Sequence, residues 1–285
     1  MKLLISLAIF AIANGRIIEE QCNDVLVNHI HHKKETLVHN KDSPYQLAID
    51  YDTNMLFFSY TRKVGRNAFL SGYINLKNNE FHIIPGIIDG FANAVDNNKH
   101  IVYLGGGDGL YQYDFDSKFA RHIDGTHDSI WQMFYKKDLY YSTYPNEEVF
   151  VFKNGKTERV PELAHTKAML VALNKDFDYY FSNSSGLFKF TKASAEISLL
   201  GDYILNALTA DINGNLYFST PTGIYYIGDE DKIKEIATIP NIYGVAIEGD
   251  GSIIYASEDS IERLTPTKTP CFLDQKKFNG EINDQ

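Results

Sequence analysis

One phrase, repeated six times, constrains this chain more than any other feature. It is an apolar stretch, a turn rich in acids and amides, and a short aromatic strand. Its copies are LAIDYDTNMLFFS (47–59), AVDNNKHIVY (94–103), a reduced MFYKKDLYYS (133–142), VALNKDFDYYFS (171–182), LTADINGNLYFS (208–219) and VAIEGDGSIIYA (245–256). Aligning Phe58, Tyr103, Tyr141, Phe181, Phe218 and Tyr255 gives steps of 45, 38, 40, 37 and 37 residues. A strand-rich repeat of roughly 40 residues is the period of a propeller blade. The expected fold is therefore all-β, a six-bladed β-propeller. It is read as one domain over 16–277, with a polar tail at 278–285.

Residues 1–15 read as a secretory signal peptide: Lys2, then an unbroken apolar run, then small residues Ala13 and Gly15. The run is too short for a mature membrane span, and the rest of the sequence has none of that length. Removing it leaves 26 basic residues against 37 acids, a net charge of −11. Nucleic acid and anionic membranes need a basic footprint, so neither is an expected partner. The expectation is a secreted, soluble monomer. Cys22 and Cys271, at opposite ends of the exported chain, are expected to bridge and so close the ring. The segment 22–30 alternates apolar and polar residues and is read as the closing strand.

Asn154-Gly155, Asn213-Gly214, Asp250-Gly251 and the glycine-rich 105–109 mark turns. Adjacent aromatics such as Phe57-Phe58 and Tyr140-Tyr141 place rings on both faces of a strand, as a blade sandwiched between two neighbours requires. A ring of blades leaves an axial channel. The segments leading into the innermost strands offer Tyr45, Phe91, Trp131, Met169 and Tyr243, with Asn93, Lys167 and Asn206 beside them. An apolar cleft with a few directed polar groups suits a flat organic ligand. The same residues also suit a packed plug. A calcium-dependent lactonase or arylesterase is the enzymatic alternative, with Asn93, Asp128, Asn206 and Asn241 as its ligands. One carboxylate among amides is a poor match for calcium, so no metal site is assigned.

Other signals are weaker. His29 and His31 would share one face of a strand, either as metal ligands or as a solvated strand end. The glycine-rich 105–109 lacks the Lys-Ser/Thr of a phosphate loop and reads as a hairpin turn. Asn183, in the sequence Asn-Ser-Ser, is an expected glycosylation site.

Several strings resemble the ommochrome-binding proteins of moth and butterfly haemolymph. They are CNDVLVN at 22–28, SPYQLAID at 43–50, LFFSY at 56–60, DINGNLYFS at 211–219 and CFLD at 271–274. The resemblance runs through the whole chain and includes its two-cysteine layout. It implies a secreted haemolymph carrier that binds an ommochrome pigment and needs no cofactor. A planar acidic pigment would stack on Tyr45, Phe91, Trp131 or Tyr243, and its carboxylates would meet Lys167 and the amides. A protein-binding propeller acting through its rim is a third reading.

Overall fold

The computed structural model describes residues 24–61 and 68–267. Two strands, β1 (Asp24–Val27) and β2 (Ile30–His39), precede the first full blade. Blade 1 is β3 (Asp42–Asp50), β4 (Met55–Thr61), β5 (Phe69–Asn75) and β6 (Glu80–Ile84). Blade 2 is β7 (Ala92–Asp96), β8 (Ile101–Gly106), β9 (Gly109–Asp114) and β10 (Phe119–His122). Blade 3 is β11 (Ile130–Lys136), β12 (Asp138–Thr143), β13 (Val149–Lys153) and β14 (Lys156–Arg159). Blade 4 is β15 (Leu170–Leu173), β16 (Tyr179–Asn183), β17 (Gly186–Thr191) and β18 (Glu196–Gly201). Blade 5 is β19 (Ala207–Ala210), β20 (Leu216–Thr220), β21 (Gly223–Ile227) and β22 (Ile233–Thr238). Blade 6 takes β23 (Gly244–Ile247), β24 (Ile253–Ala256) and β25 (Ser260–Pro266) from the C-terminal side.

Every sheet is antiparallel. The sixth has the order β1-β2-β25-β24-β23, so strands from the two ends of the chain share one blade. Each innermost strand packs on the next: β3 on β7, β7 on β11, and so on to β23, which returns to β3. The expected six-bladed ring is thus present and closed by strand pairing. Cys22 and Cys271 lie outside the described residues. The closing strand is β2 rather than 22–30, and β1 is an extra outer strand. A turn at Asn28 and His29, both with positive φ, separates β1 from β2. It places His29 in the turn and His31 on β2, facing Asp24 at 3.8 Å. They therefore do not share a strand face as expected.

The core is a set of layers between blades, which explains the doubled aromatics. Phe57 meets Tyr73 and Tyr113 between blades 1 and 2, while Phe58 meets Tyr60 and Phe81 on the opposite side. Both phenylalanines are fully buried. With both faces buried, alternation does not show which face a residue takes, and the second repeat departs from its sequence alignment for that reason. Opposite the innermost strand, Val171 pairs Phe181, Leu208 pairs Phe218 and Val245 pairs Tyr255. The equivalent pair in blade 2 is Asn93 with Leu104. Leu104 is fully buried and Tyr103 is not, so the sequence alignment slipped by one residue there.

The turns follow local chemistry. Asn154 and Gly155, at φ 52° and 73°, make the two-residue hairpin between Lys153 and Lys156. In the 105–109 stretch, Gly106 pairs Gly109 across a tight hairpin, and the Gly107 N–H donates to the Ile88 carbonyl at 2.9 Å. A side chain on Gly106 would meet that carbonyl at 2.6 Å. The glycines serve close backbone approach, as a hairpin turn requires.

Side-chain amides on or beside the innermost strands join the blades in pairs. Asn93 donates to the Gln46 carbonyl at 2.9 Å, joining blades 1 and 2, and Asn206 donates to the Ile242 carbonyl at 2.6 Å, joining blades 5 and 6. Gln132 joins blades 3 and 4: its Nε2 donates to the Val171 carbonyl at 3.1 Å, and its Oε1 accepts the Val171 N–H at 2.9 Å. Gln132→Ala would strip both partners from a buried strand edge. Unpaired groups of that kind cost about 1–3 kcal/mol each, so denaturant titration should show a loss of roughly 2–6 kcal/mol. A loss below about 0.5 kcal/mol would mean that the amide is not a structural link.

Candidate functional site

The channel has two mouths. The near mouth is where the innermost strands begin, and the far mouth is where they end. At the near mouth the structure gathers the aromatics into one arc. Ring centroids run from Tyr243 to Tyr45 at 5.2 Å, Tyr45 to Phe91 at 5.6 Å, Phe91 to Trp131 at 4.5 Å, and Trp131 to Tyr144 at 5.1 Å. Phe69 backs Phe91 at 4.4 Å. Phe91 is buried; Tyr45, Trp131 and Tyr243 are half-buried, and Tyr144 is exposed. The arc spans blades 6, 1, 2 and 3.

Irregular backbone sets these rings. The β3 register shifts on either side of Tyr45, with Ser43 and Gln46 at φ 47° and 51°. The β11 register shifts between Ile130 and Gln132, at Trp131. Asp89 and Asn241, in the same approach segments, also have positive φ. A bulge turns one side chain out of its alternation, and such irregularities gather where strands present side chains to a ligand. Burial pushes the Tyr45 phenol above the usual tyrosine range, against a hydrogen bond with Ser43 and with a small contribution from Tyr243. Tyr45 therefore stays neutral and hydrogen-bonding at physiological pH.

The other proposed residues come from elsewhere around the ring. Met169 is half-buried just before β15, and its carbonyl accepts the Ser142 hydroxyl at 2.5 Å. Lys167 is exposed, and its carbonyl accepts the Asn183 amide at 3.2 Å. Asn183 itself ends β16 at the hairpin of blade 4. Asn206 and Asn93 are the inter-strand links already described.

The four calcium-ligand candidates do not fit that ion. The Asp128 carboxylate accepts the Tyr141 hydroxyl at 2.7 Å. Asn93 and Asn206 direct their amides to neighbouring backbone, and Asn241 sits exposed in a left-handed turn. A hard divalent cation needs several convergent oxygens with more negative charge than one carboxylate. Among the described residues no group of three acids, histidines or cysteines is gathered for a metal.

A cavity of about 470 Å³ opens at the far mouth, where no ligand site is expected from the sequence. Its walls are the innermost strands of blades 1, 2, 3, 5 and 6, whose residues read as core. Its rim carries Tyr51, Asp52, Asn97, Lys136, Lys137 and Asp211. Of the ligand residues expected from sequence, only Asn93 lines it.

Fold and site together define a class: a closed six-bladed propeller with an aromatic arc at one channel mouth and a cavity at the other. Among curated proteins, the chain is similar to the ommochrome-binding protein of Manduca sexta, at 40% identity over 279 residues. The match covers 95% of this chain and all of that protein. The chain belongs to the ommochrome-binding protein family. No protein-family profile matches it. Among solved structures, it resembles the gluconolactonase XC5397 of Xanthomonas campestris at 13% identity and a TM-score of 0.68, covering 87% of this chain and 96% of that one. A luciferin-regenerating enzyme is similar at 12% identity and a TM-score of 0.62, covering 85% of this chain and 97% of that one. At such identities the likeness shows the shared fold alone.

Proposed function

We propose that this protein is a secreted, non-enzymatic carrier of a planar aromatic pigment of the ommochrome type, held without covalent chemistry at the near mouth. The observation that carries the reading is the contiguous arc of Tyr243, Tyr45, Phe91 and Trp131, in a chain whose curated relative is named for ommochrome binding. Three half-buried rings around the buried Phe91, with centroids 4.5–5.6 Å apart, offer faces to a conjugated ring system and little else to react with it. Met169, Asn206 and Lys167 complete the proposed contact set from around the channel, with Lys167 as the local counter-charge for an acidic pigment, while Asn93, which lines the far-mouth cavity, is left out of it. Export after cleavage of 1–15, a Cys22–Cys271 bridge, a glycan on Asn183 and a monomeric state belong to the same reading. Among the described residues no helix is long and apolar enough to cross a membrane.

Trp131 is the only tryptophan and reports on the site directly. Titration with an ommatin should give saturable quenching of Trp131 and a shift of the pigment's visible band, at one ligand per chain. Trp131→Leu, with the fold intact, should weaken binding about fivefold to tenfold, in line with roughly 1 kcal/mol for an aromatic pair. Unchanged fluorescence and an unchanged visible band at micromolar pigment would overturn the reading. So would calcium-dependent hydrolysis of a lactone or aryl ester by the same preparation.

A further inference from the structure

The far mouth breaks the sixfold repeat at one place. Three residues beyond the paired positions Asn93, Val171, Leu208 and Val245 stand Asp96, Asn174, Asp211 and Glu248. Asp50 holds the same place in blade 1, pairing Met55 as Asp96 pairs Ile101. Each is an acid or an amide at the start of the turn between the first two strands. Blade 3 has Lys136 there, three beyond Met133, which pairs Tyr141. Its turn is also shortened: Lys136 pairs Asp138 across Lys137 alone. The rim is therefore lower at blade 3, and its charge is reversed.

All five equivalents, unlike Lys136, are spent on structure: the Asn174 Oδ1 accepts the N–H groups of Asp176 and Asp178. Asp50 accepts the Asp52 N–H and the Thr53 hydroxyl, and Asp96 accepts the N–H groups of Asn98 and Lys99. Asp211 accepts the N–H groups of Asn213 and Asn215, and Glu248 holds Arg263 through both oxygens. The remaining rim acid, Asp52, meets His100 at 2.6 Å. The half-buried Lys136 lies with its ammonium 5.6 Å from the centre of the Phe177 ring, facing Gly214 across the mouth. Among the described residues it has no carboxylate within ion-pair distance and no hydrogen-bond acceptor. Asp176 is near enough to act on it only through space. An ammonium held partly out of water without an anion is costly unless something supplies one.

The cavity beneath it mixes apolar and polar walls. Met133, Val245 and Ile247 contribute apolar surface, and Asn93 contributes a buried Oδ1 with no hydrogen-bond partner among the described residues. The volume suits a small organic molecule.

We propose that the far mouth binds a small organic anion, a carboxylate on an apolar body, with Lys136 holding the carboxylate and the cavity taking the body. This site is separate from the near-mouth arc and does not depend on what the arc binds.

The test is calorimetric titration with 2-naphthoate, and with 2-naphthylmethanol as the uncharged analogue. Wild-type protein should bind one naphthoate at least about tenfold more tightly than the alcohol, the margin expected of a hydrogen bond to a charged group. Lys136→Met should abolish that margin, and Lys136→Arg should retain most of it. Trp131→Leu should leave it unchanged. Thermal midpoints of all variants control for folding, and Lys136→Gln serves if the methionine variant unfolds early. Three results would overturn the proposal: no preference for the anion, a preference that survives loss of the Lys136 charge, or a preference lost in Trp131→Leu instead.

Discussion

A chain that begins at Lys41, lacking β1 and β2, is expected to lose cooperative folding altogether. β2 pairs with β25 at seven positions, from His32 with Pro266 to His39 with Ser260. At a net 0.5–1.5 kcal/mol per hydrogen bond, that ladder contributes roughly 4–10 kcal/mol, comparable with the whole stability of an ordinary domain. Leu37 and His32 are buried on the same strand. Thr36 and Lys34 reach the buried Glu262 of β25, the first at 2.7 Å. Arg263 beside it donates to the Leu76 carbonyl of blade 1 at 2.9 Å and pairs Glu248. Without β2, blade 6 would be held to blade 1 only by face packing and a few hydrogen bonds, such as Arg263 to Leu76 and Tyr51 to the Ile247 carbonyl, and β25 would become an open edge that templates aggregation. The truncated chain should show no sigmoidal transition in denaturant and should expose apolar surface to a reporter dye. A transition with an unchanged slope would mean that the ring closes without its N-terminal strand.

That clasp was only partly legible in the sequence, and the reason is physical. Blade number and strand order follow from Phe58, Tyr141, Phe181, Phe218 and Tyr255, because one large apolar side chain is needed at the same depth in each inter-blade layer. The second blade meets the same need with Leu104. The neighbouring Tyr103 drew the alignment because both faces of the strand are apolar. The extent of β2 was hidden for the opposite reason. Residues 30–39 are mostly polar, since an outer strand wets one face, so the pattern resembles a loop (IHHKKETLVH).

The near-mouth arc was readable as a set of rings beside the axis, because each approach segment has a fixed place in the repeat. Its contacts were not, since the bulges at Tyr45 and Trp131 break the alternation from which a direction would be read. The far-mouth cavity was invisible. Its walls are core-like strand residues, and Lys136 lay in the repeat that looked merely shortened. Only the paired register shows that this lysine occupies a position held elsewhere by Asp50, Asp96, Asn174, Asp211 and Glu248. Charge reversal at a repeat position is a sequence signal that can be used once the register is fixed.

Lys189→Met is expected to lower stability by about 3–5 kcal/mol, the usual effect of removing one partner from a buried ion cluster. Lys189 on β17 meets Asp178 at 3.2 Å and Asp231 at 3.0 Å, and Tyr180 donates its hydroxyl to Asp231. Asp231 belongs to blade 5, so the cluster fastens blades 4 and 5. The lysine and Asp178 are only 14% and 11% exposed, which limits how far water can replace the lost charge. Burial alone would lower the Lys189 pKa, but Asp231, Tyr180 and Asp178 raise it above the usual 10.5. Burial alone would raise Asp178, but the Lys192 N–H and the Lys189 ammonium bring it below 3.8. The depressed acid contributes stability that is present above pH 3.8 and lost as pH falls through its folded pKa. The raised lysine contributes stability present below pH 10.5 and lost as pH rises through its folded pKa. In the variant, Asp178 keeps its burial without its cation, so its pKa should rise. The difference from wild type should then shrink on acidification below about pH 4, where the carboxylate is neutral in the unfolded chain. Denaturant titrations at pH 7 and pH 3.5 measure this directly. Adding Asp178→Asn to the variant should recover part of the loss at pH 7, because the stranded charge is gone. A loss independent of pH, with no recovery in the double variant, would assign the effect to the alkyl stem's packing rather than to the ion cluster.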